Sequence, residues 1–170
     1  MSAMNRRLFT TALAAMALAG PVLAQEAAPA KPQPMVIYDD SLAPGWNNWS
    51  WAKTTLSTDI GADVKPISMQ SEPWQALYLQ HAAFSTAGYT KLTFYVNGGP
   101  AGGQTISVKA LIGDKPVDPG YTIRLNANTW NVVEVPLADL GAADQTINGL
   151  WWQAQNQPVS TWYITVIQLE

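Results

Sequence analysis

Few side chains in this sequence are equipped for catalysis, whereas many are equipped for aromatic stacking. The chain has one histidine, His81, and no cysteine. No Gly-x-Ser-x-Gly elbow or His-Glu-x-x-His helix motif occurs. A lone histidine without thiolates cannot build a typical zinc ligand set. No glycine-rich loop leads into a helix, so no phosphate cradle is expected. Hydrolysis of a glycoside needs two carboxyl groups flanking one bond. The acids in or beside predicted strands are Asp39, Asp40, Glu72 and Glu134. Asp39 and Asp40 stand where a strand ends, where they could hold a turn or a cation. Glu134 lies between Val133 and Val135 on an alternating strand and so faces solvent.

The aromatic residues carry the positive signal. Trp46, Trp49, Trp51, Trp74, Trp130, Trp151, Trp152 and Trp162 all follow the first quarter of the chain. An indole face stacks on the apolar C–H face of a sugar ring, while amides and hydroxyls bond the sugar hydroxyls. Three segments mix these types: Gly45–Trp51 (GWNNWSW), Trp74–His81 (WQALYLQH) and Leu150–Gln157 (LWWQAQNQ). Strand parity sorts them. Leu77 and Leu79 share a core-facing side, which puts Trp74, Ala76, Tyr78 and Gln80 on the other. Leu150, Trp152 and Ala154 share a buried side, which puts Trp151, Gln153 and Gln155 opposite. Trp130 and Trp162 are expected in packing. The expected stacking residues are Trp49, Trp51, Trp74, Tyr78 and Trp151, with Asn48, Gln80, His81, Gln153 and Gln155 as polar partners. On this reading Trp151→Ala weakens sugar binding and leaves the melting temperature nearly unchanged.

The elements that must position these residues are strands. Apolar and polar residues alternate along Lys91–Asn97 and Gln104–Ile112, the period of a half-buried strand. Further strands are expected at Met35–Tyr38, Trp46–Trp51, Val64–Met69, Trp74–Gln80, Tyr121–Leu125, Trp130–Val135, Ile147–Gln153 and Thr161–Leu169. Turn residues separate them, among them Ala43-Pro44-Gly45, Asn97-Gly98-Gly99-Pro100, Gly113-Asp114-Lys115 and Asp118-Pro119-Gly120. Leu137–Leu140 offers a single helical turn at best. Nine or ten short strands at this spacing predict an all-β sandwich, a jelly roll.

Ahead of the strands, Arg6 and Arg7 precede an apolar run from Leu8 to Ala24, with Val22 and Ala24 at the positions a signal peptidase reads. Gly20 and Pro21 interrupt the run, which falls short of the roughly 20 residues of a membrane span. A cleaved signal peptide over residues 1–24 is expected, with export to the periplasm or the medium. Asn5-Arg6-Arg7-Leu8-Phe9 resembles a twin-arginine signal. Residues 25–34 (QEAAPAKPQP) read as a linker and residues 35–170 as the folded domain. Without the signal peptide the net charge is about −5. Clustered Lys and Arg are lacking, so neither nucleic acid nor, once the signal is removed, a membrane is an expected partner.

The segments Ile37–Asp40, Gly45–Trp51, Trp74–His81, Asn97-Gly98-Gly99, Ile147–Gln153 and the closing strand resemble β-jelly-roll modules of secreted bacterial polysaccharide-active proteins. They are similar to galactose-binding-like carbohydrate-binding modules, which accompany glycoside hydrolases and expansin-like proteins. The resemblance covers most of residues 35–170 and implies a binding domain without turnover. Such modules often carry paired aspartates before the last hydrophobics, which help hold a structural calcium. Here that place reads Tyr163-Ile164-Thr165-Val166-Ile167, without an acid. No metal or other cofactor is therefore expected. The module also fills nearly the whole mature chain, which implies a protein acting alone or beside separate polysaccharide-degrading enzymes. The expected function is non-catalytic binding of a poly- or oligosaccharide. Two alternatives stand beside it: a cell-envelope domain whose aromatics dock a protein, and a small glycoside hydrolase or lyase using Asp39, Asp40 or Glu134.

Overall fold

Alternation of apolar and polar residues settles which side of each strand is buried, and the computed structural model, which describes residues 32–170, follows that alternation. Residues 1–24, expected as a signal peptide, and linker residues 25–31 lie outside the described residues. Among the described residues there are strands and turns and no helix. The strands are β1 (Met35–Asp39), β2 (Ser41–Leu42), β3 (Asn47–Asn48), β4 (Lys53–Thr55), β5 (Ile67–Ser71), β6 (Ala76–Ser85), β7 (Lys91–Asn97), β8 (Thr105–Ile112), β9 (Lys115–Pro116), β10 (Tyr121–Arg124), β11 (Trp130–Pro136), β12 (Thr146–Ala154) and β13 (Val159–Leu169).

They form two antiparallel sheets. The back sheet runs β11-β7-β13-β1-β2, with β5 joining β13 and β4 joining β5. The front sheet runs β10-β8-β12-β6-β3, with β9 on β8. This is the β-sandwich expected from the sequence, of the jelly-roll kind. Leu92, Phe94 and Val96 of β7 point inward from the back sheet. Leu77 and Leu79 of β6, Ile106 and Val108 of β8, and Leu150, Trp152 and Ala154 of β12 meet them from the front. Phe94 and Trp152 touch edge to face across the gap, with ring centroids 5.5 Å apart. Each such large side chain, fully withdrawn from water, contributes about 1.5–3 kcal/mol. Trp46 and Trp162 are buried in the same core.

Each predicted strand has its counterpart, and the differences have local causes. The strand expected over Trp46–Trp51 is regular only at Asn47–Asn48. Beyond it the Ser50 hydroxyl, instead of a backbone carbonyl, accepts the Tyr78 N–H at 3.0 Å. The chain still follows β6, because Trp49 N–H donates to Tyr78 O at 2.9 Å and Trp51 N–H to Ala76 O at 3.2 Å. The Gly113-Asp114 turn joins β8 to β9 with both residues at positive φ, the type I′ geometry that suits strand twist. Leu137–Leu140 is a turn. Trp130 is only half-buried and lines an apolar groove on the outside of the back sheet with Tyr95 and Val166.

Candidate functional site

The outward face of the front sheet gathers most of the residues singled out in the sequence. Its order follows from strand register. On β12, Trp151 stands opposite Tyr78 of β6 on one side and Lys109 of β8 on the other. One step along, Gln153 stands between Ala76 and Ser107, and Ser107 faces Thr122 of β10. Trp49 and Trp51 join this face from the irregular edge beside β6, and Trp74 closes it just before β6 begins. Trp49, Trp51 and Trp74 are 56%, 42% and 60% exposed; the rings of Trp49 and Trp51 stand on Tyr78, and the backbone carbonyl of Trp74 adjoins them.

Tyr78 and Trp151 play a different part. Tyr78 was expected as a stacking ring, yet it is buried, 7% exposed. The cause is Gly149: a Cβ there would lie 2.5 Å from Tyr78 Cε2, so its absence lets the phenol lie down over β12. Tyr78 then meets three indoles edge to face, with centroids at 5.8 Å for Trp49, 5.8 Å for Trp151 and 6.5 Å for Trp51. Trp151 is half-buried, with its ring 4.9 Å from that of Trp51 at 79°. Edge-to-face packing of this kind adds about 0.5–1.5 kcal/mol per pair beyond area burial. Tyr78 is thus the pillar on which Trp49 and Trp51 stand. Its hydroxyl is buried without a hydrogen-bond partner among the described residues. Burial, and secondarily the Asp114 carboxylate, push its pKa up.

The polar residues divide in the same way. Gln153 faces outward, and its amide donates to the Trp74 carbonyl at 3.0 Å. Gln155 donates to Thr122 Oγ1 at 3.5 Å, a long contact. Gln80 accepts from Asn47 at 3.1 Å and donates to the His81 carbonyl at 2.9 Å. Asn48 builds the edge: its Oδ1 accepts from Ser50 N–H at 3.1 Å and from Ser50 Oγ at 2.5 Å. His81 does not join the indole row. Its ring packs on Trp46 at 5.0 Å and Phe84 at 5.3 Å, and its Nδ1 lies 2.6 Å from the Ala82 carbonyl. It lies in a bulge where β6 carries extra residues opposite Asn148. With Gln80 and Trp49 it lines a shallow groove past Asp114, beyond the end of the row.

Sequence reasoning left Ser107, Lys109, Asp118 and Thr122 unassigned. Lys109 donates to Asp118 at 2.5 Å, and its side chain is 14% exposed, so a cation sits beside Trp151 with its charge partnered. The outward parity of Ser107 and Lys109 was readable in the alternation of residues 105–112. Their neighbourhood to Trp151 and Gln153 depends on non-local strand pairing and was not.

The chemistry open to this surface is stacking and hydrogen bonding. Of the acids considered for hydrolysis, Asp39 and Asp40 are chain neighbours at the end of β1, and Glu134 lies apart from them. Glu134 of β11 pairs with Lys91, while Asp39 belongs to β1, three strands away in the back sheet. Strands about 4.8 Å apart put them roughly 14 Å or more from each other, beyond the ~5–9.5 Å that glycosidase carboxyl pairs need.

No family model matches this chain. A curated relative, an endoglucanase of Dictyostelium discoideum, is 25% identical over 142 residues, 77% of this chain. The chain spans about a fifth, 20%, of the length of that relative. Among solved structures, the fold is similar to family 29 carbohydrate-binding modules. One variant of such a module superposes with a TM-score of 0.60 at 12% identity, over 82% of this chain and 92% of that one. A second variant, complexed with cellulohexaose, gives 0.60 at 15% identity, over 81% and 89% of the two chains. A third, complexed with mannohexaose, gives 0.59 at 12% identity, over 81% and 90%.

Proposed function

We propose that this chain is an exported, non-catalytic carbohydrate-binding module that holds a poly- or oligosaccharide on the outward face of its front sheet. The observation that carries this reading is the pair of open indoles, Trp49 and Trp51, backed by Tyr78 and Trp151 and flanked by amides and hydroxyls, with exposed Trp74 hydrogen-bonded through its carbonyl to Trp51. Sugar rings offer apolar faces to such indoles and hydroxyls to such amides. Both hexasaccharides seen with the similar modules are linear chains, and a row of indoles suits a linear chain better than a single ring. The likeness to part of an endoglucanase supports a role beside polysaccharide-degrading enzymes. Export rests on the Arg6-Arg7 start and the apolar run to Ala24. Stacking on partly hydrated indoles, offset by ordering costs, gives affinities from about 10 μM to 1 mM.

The test is intrinsic tryptophan fluorescence of residues 25–170, titrated with cellulohexaose, mannohexaose and a panel of soluble polysaccharides. A saturable shift with one glycan class is expected. Silence across the panel would refute the carbohydrate reading.

A further inference from the structure

Trp74 is the strained residue of the aromatic face. Its φ is +67°, in the left-handed region that a bulky side chain rarely enters. Strain of this kind persists only where the surroundings over-determine it. Burial of the ring does not supply that determination, since Trp74 is 60% exposed. Hydrogen bonds to its backbone do. Its N–H donates to Ala154 O and Gln155 O at 3.2 and 3.0 Å. Its carbonyl accepts from Trp51 Nε1 and from Gln153 Nε2, both at 3.0 Å. One of these donors is a neighbouring indole of the row. The other is an outward-facing amide that sugar hydroxyls would otherwise be free to use.

We propose that Trp74 is a preset ligand contact at one end of the row, and that Gln153 is its positioning residue, acting on the sugar through Trp74 rather than by touching it. This rests on the carbohydrate reading given above. The backbone positions run Trp49, Trp51, Trp74 along the strand direction, with Trp49 and Trp51 facing successive rows of β6. Outward residues two apart on a strand are separated by about 6.5–7 Å. A ligand that reaches all three indoles is therefore a linear oligosaccharide lying along the strands. Trp51 takes part twice, as a stacking face and as a donor that fixes its neighbour. Its indole N–H, already used inside the protein, is not available to sugar.

A double-mutant cycle separates positioning from contact. Affinity for cellulohexaose, mannohexaose, or whichever panel glycan the wild type binds is measured by calorimetry. The proteins are wild type, Trp74→Asn, Gln153→Leu and the double variant. Asparagine tolerates the left-handed backbone, so Trp74→Asn removes the ring and keeps the turn. Each single variant is expected to weaken binding about tenfold. The double variant is expected to match Trp74→Asn alone, because Gln153 has nothing left to position. Melting of Trp74→Asn should stay within a degree or two of wild type. A hundredfold loss in the double variant would make Gln153 a direct ligand contact and overturn the proposal. So would unchanged affinity in Trp74→Asn, or a large fall in its melting temperature, which would make Trp74 structural. Wild type that binds no panel glycan would overturn the carbohydrate reading and this inference with it.

Discussion

Tyr78→Phe removes one oxygen from the centre of the site and nothing else. The Tyr78 hydroxyl is buried and unpartnered among the described residues, while the ring beneath it touches Trp49, Trp51 and Trp151. A buried polar group left without a hydrogen bond costs about 1–3 kcal/mol. Phenylalanine has the same ring in the same place, so the edge-to-face contacts survive. Tyr78→Phe should therefore raise stability by about 1 kcal/mol, or roughly 3–4 °C in melting temperature for a domain of this size. Thermal melts and urea unfolding check this, and the urea slope should not change, because the surface exposed on unfolding is the same. Glycan affinity should also be unchanged, since the oxygen is out of reach. A loss of 1 kcal/mol or more would mean that the hydroxyl has a partner in solution. A loss of affinity at constant stability would mean that it reaches the ligand. Either result would refute the description of Tyr78 as a pillar rather than a contact.

Other outcomes follow from the same geometry. Trp49→Ala should cost little stability but about tenfold in affinity, checked by calorimetry. Roughly 60 Å² of indole face covered by a sugar corresponds to about 1.5 kcal/mol. Trp151→Ala, expected from the sequence to leave the melting temperature nearly unchanged, should instead cost about 1–2 kcal/mol in urea unfolding, because the ring is half-buried against Trp51 and Tyr78. Gly149→Val should lower both stability and affinity, since its side chain would occupy the space of the Tyr78 ring; a crystal structure would then find the phenol displaced. Burial raises the pKa values of Tyr38 and Tyr78 above their usual value of 10.0. The folded state then holds these protons more tightly than the unfolded chain does. Their contribution is complete below about pH 10 and is lost as pH rises through the folded values. Urea unfolding at pH 9 and 11 should register the fall, and Tyr78→Phe should make it smaller.

Much of this arrangement was legible in the sequence because a strand has period two. Leu77 and Leu79 had to face one way and Trp74, Tyr78 and Gln80 the other, and Leu150 and Trp152 imposed the same sorting on Trp151 and Gln153. Face, however, is not exposure. Nothing near Tyr78 in the sequence announces that Gly149, 71 positions later, leaves room for its ring to lie flat. His81 was named for its chemistry and not by parity, which puts it on the side of Leu77 and Leu79; at the bulge beyond Gln80 its ring packs on buried Trp46 and on Phe84. Parity placed Gln153 outward, but its hydrogen bond to the Trp74 carbonyl depends on a backbone conformation that tryptophan disfavours. Local pattern reached as far as each strand, and pairing between strands decided the rest.

β1 and β13 pair with Met35 opposite Leu169, in the back sheet, and the described chain begins beside it, with Pro32 against Gly88. The indole row is on the front sheet, with the core of the sandwich between the two. Met35 is thus fixed in the sheet that carries no indole row. A molecule adsorbed as proposed would lie with its front sheet down on the glycan and Met35 in the upper sheet, and its orientation on a surface would be set by the fold.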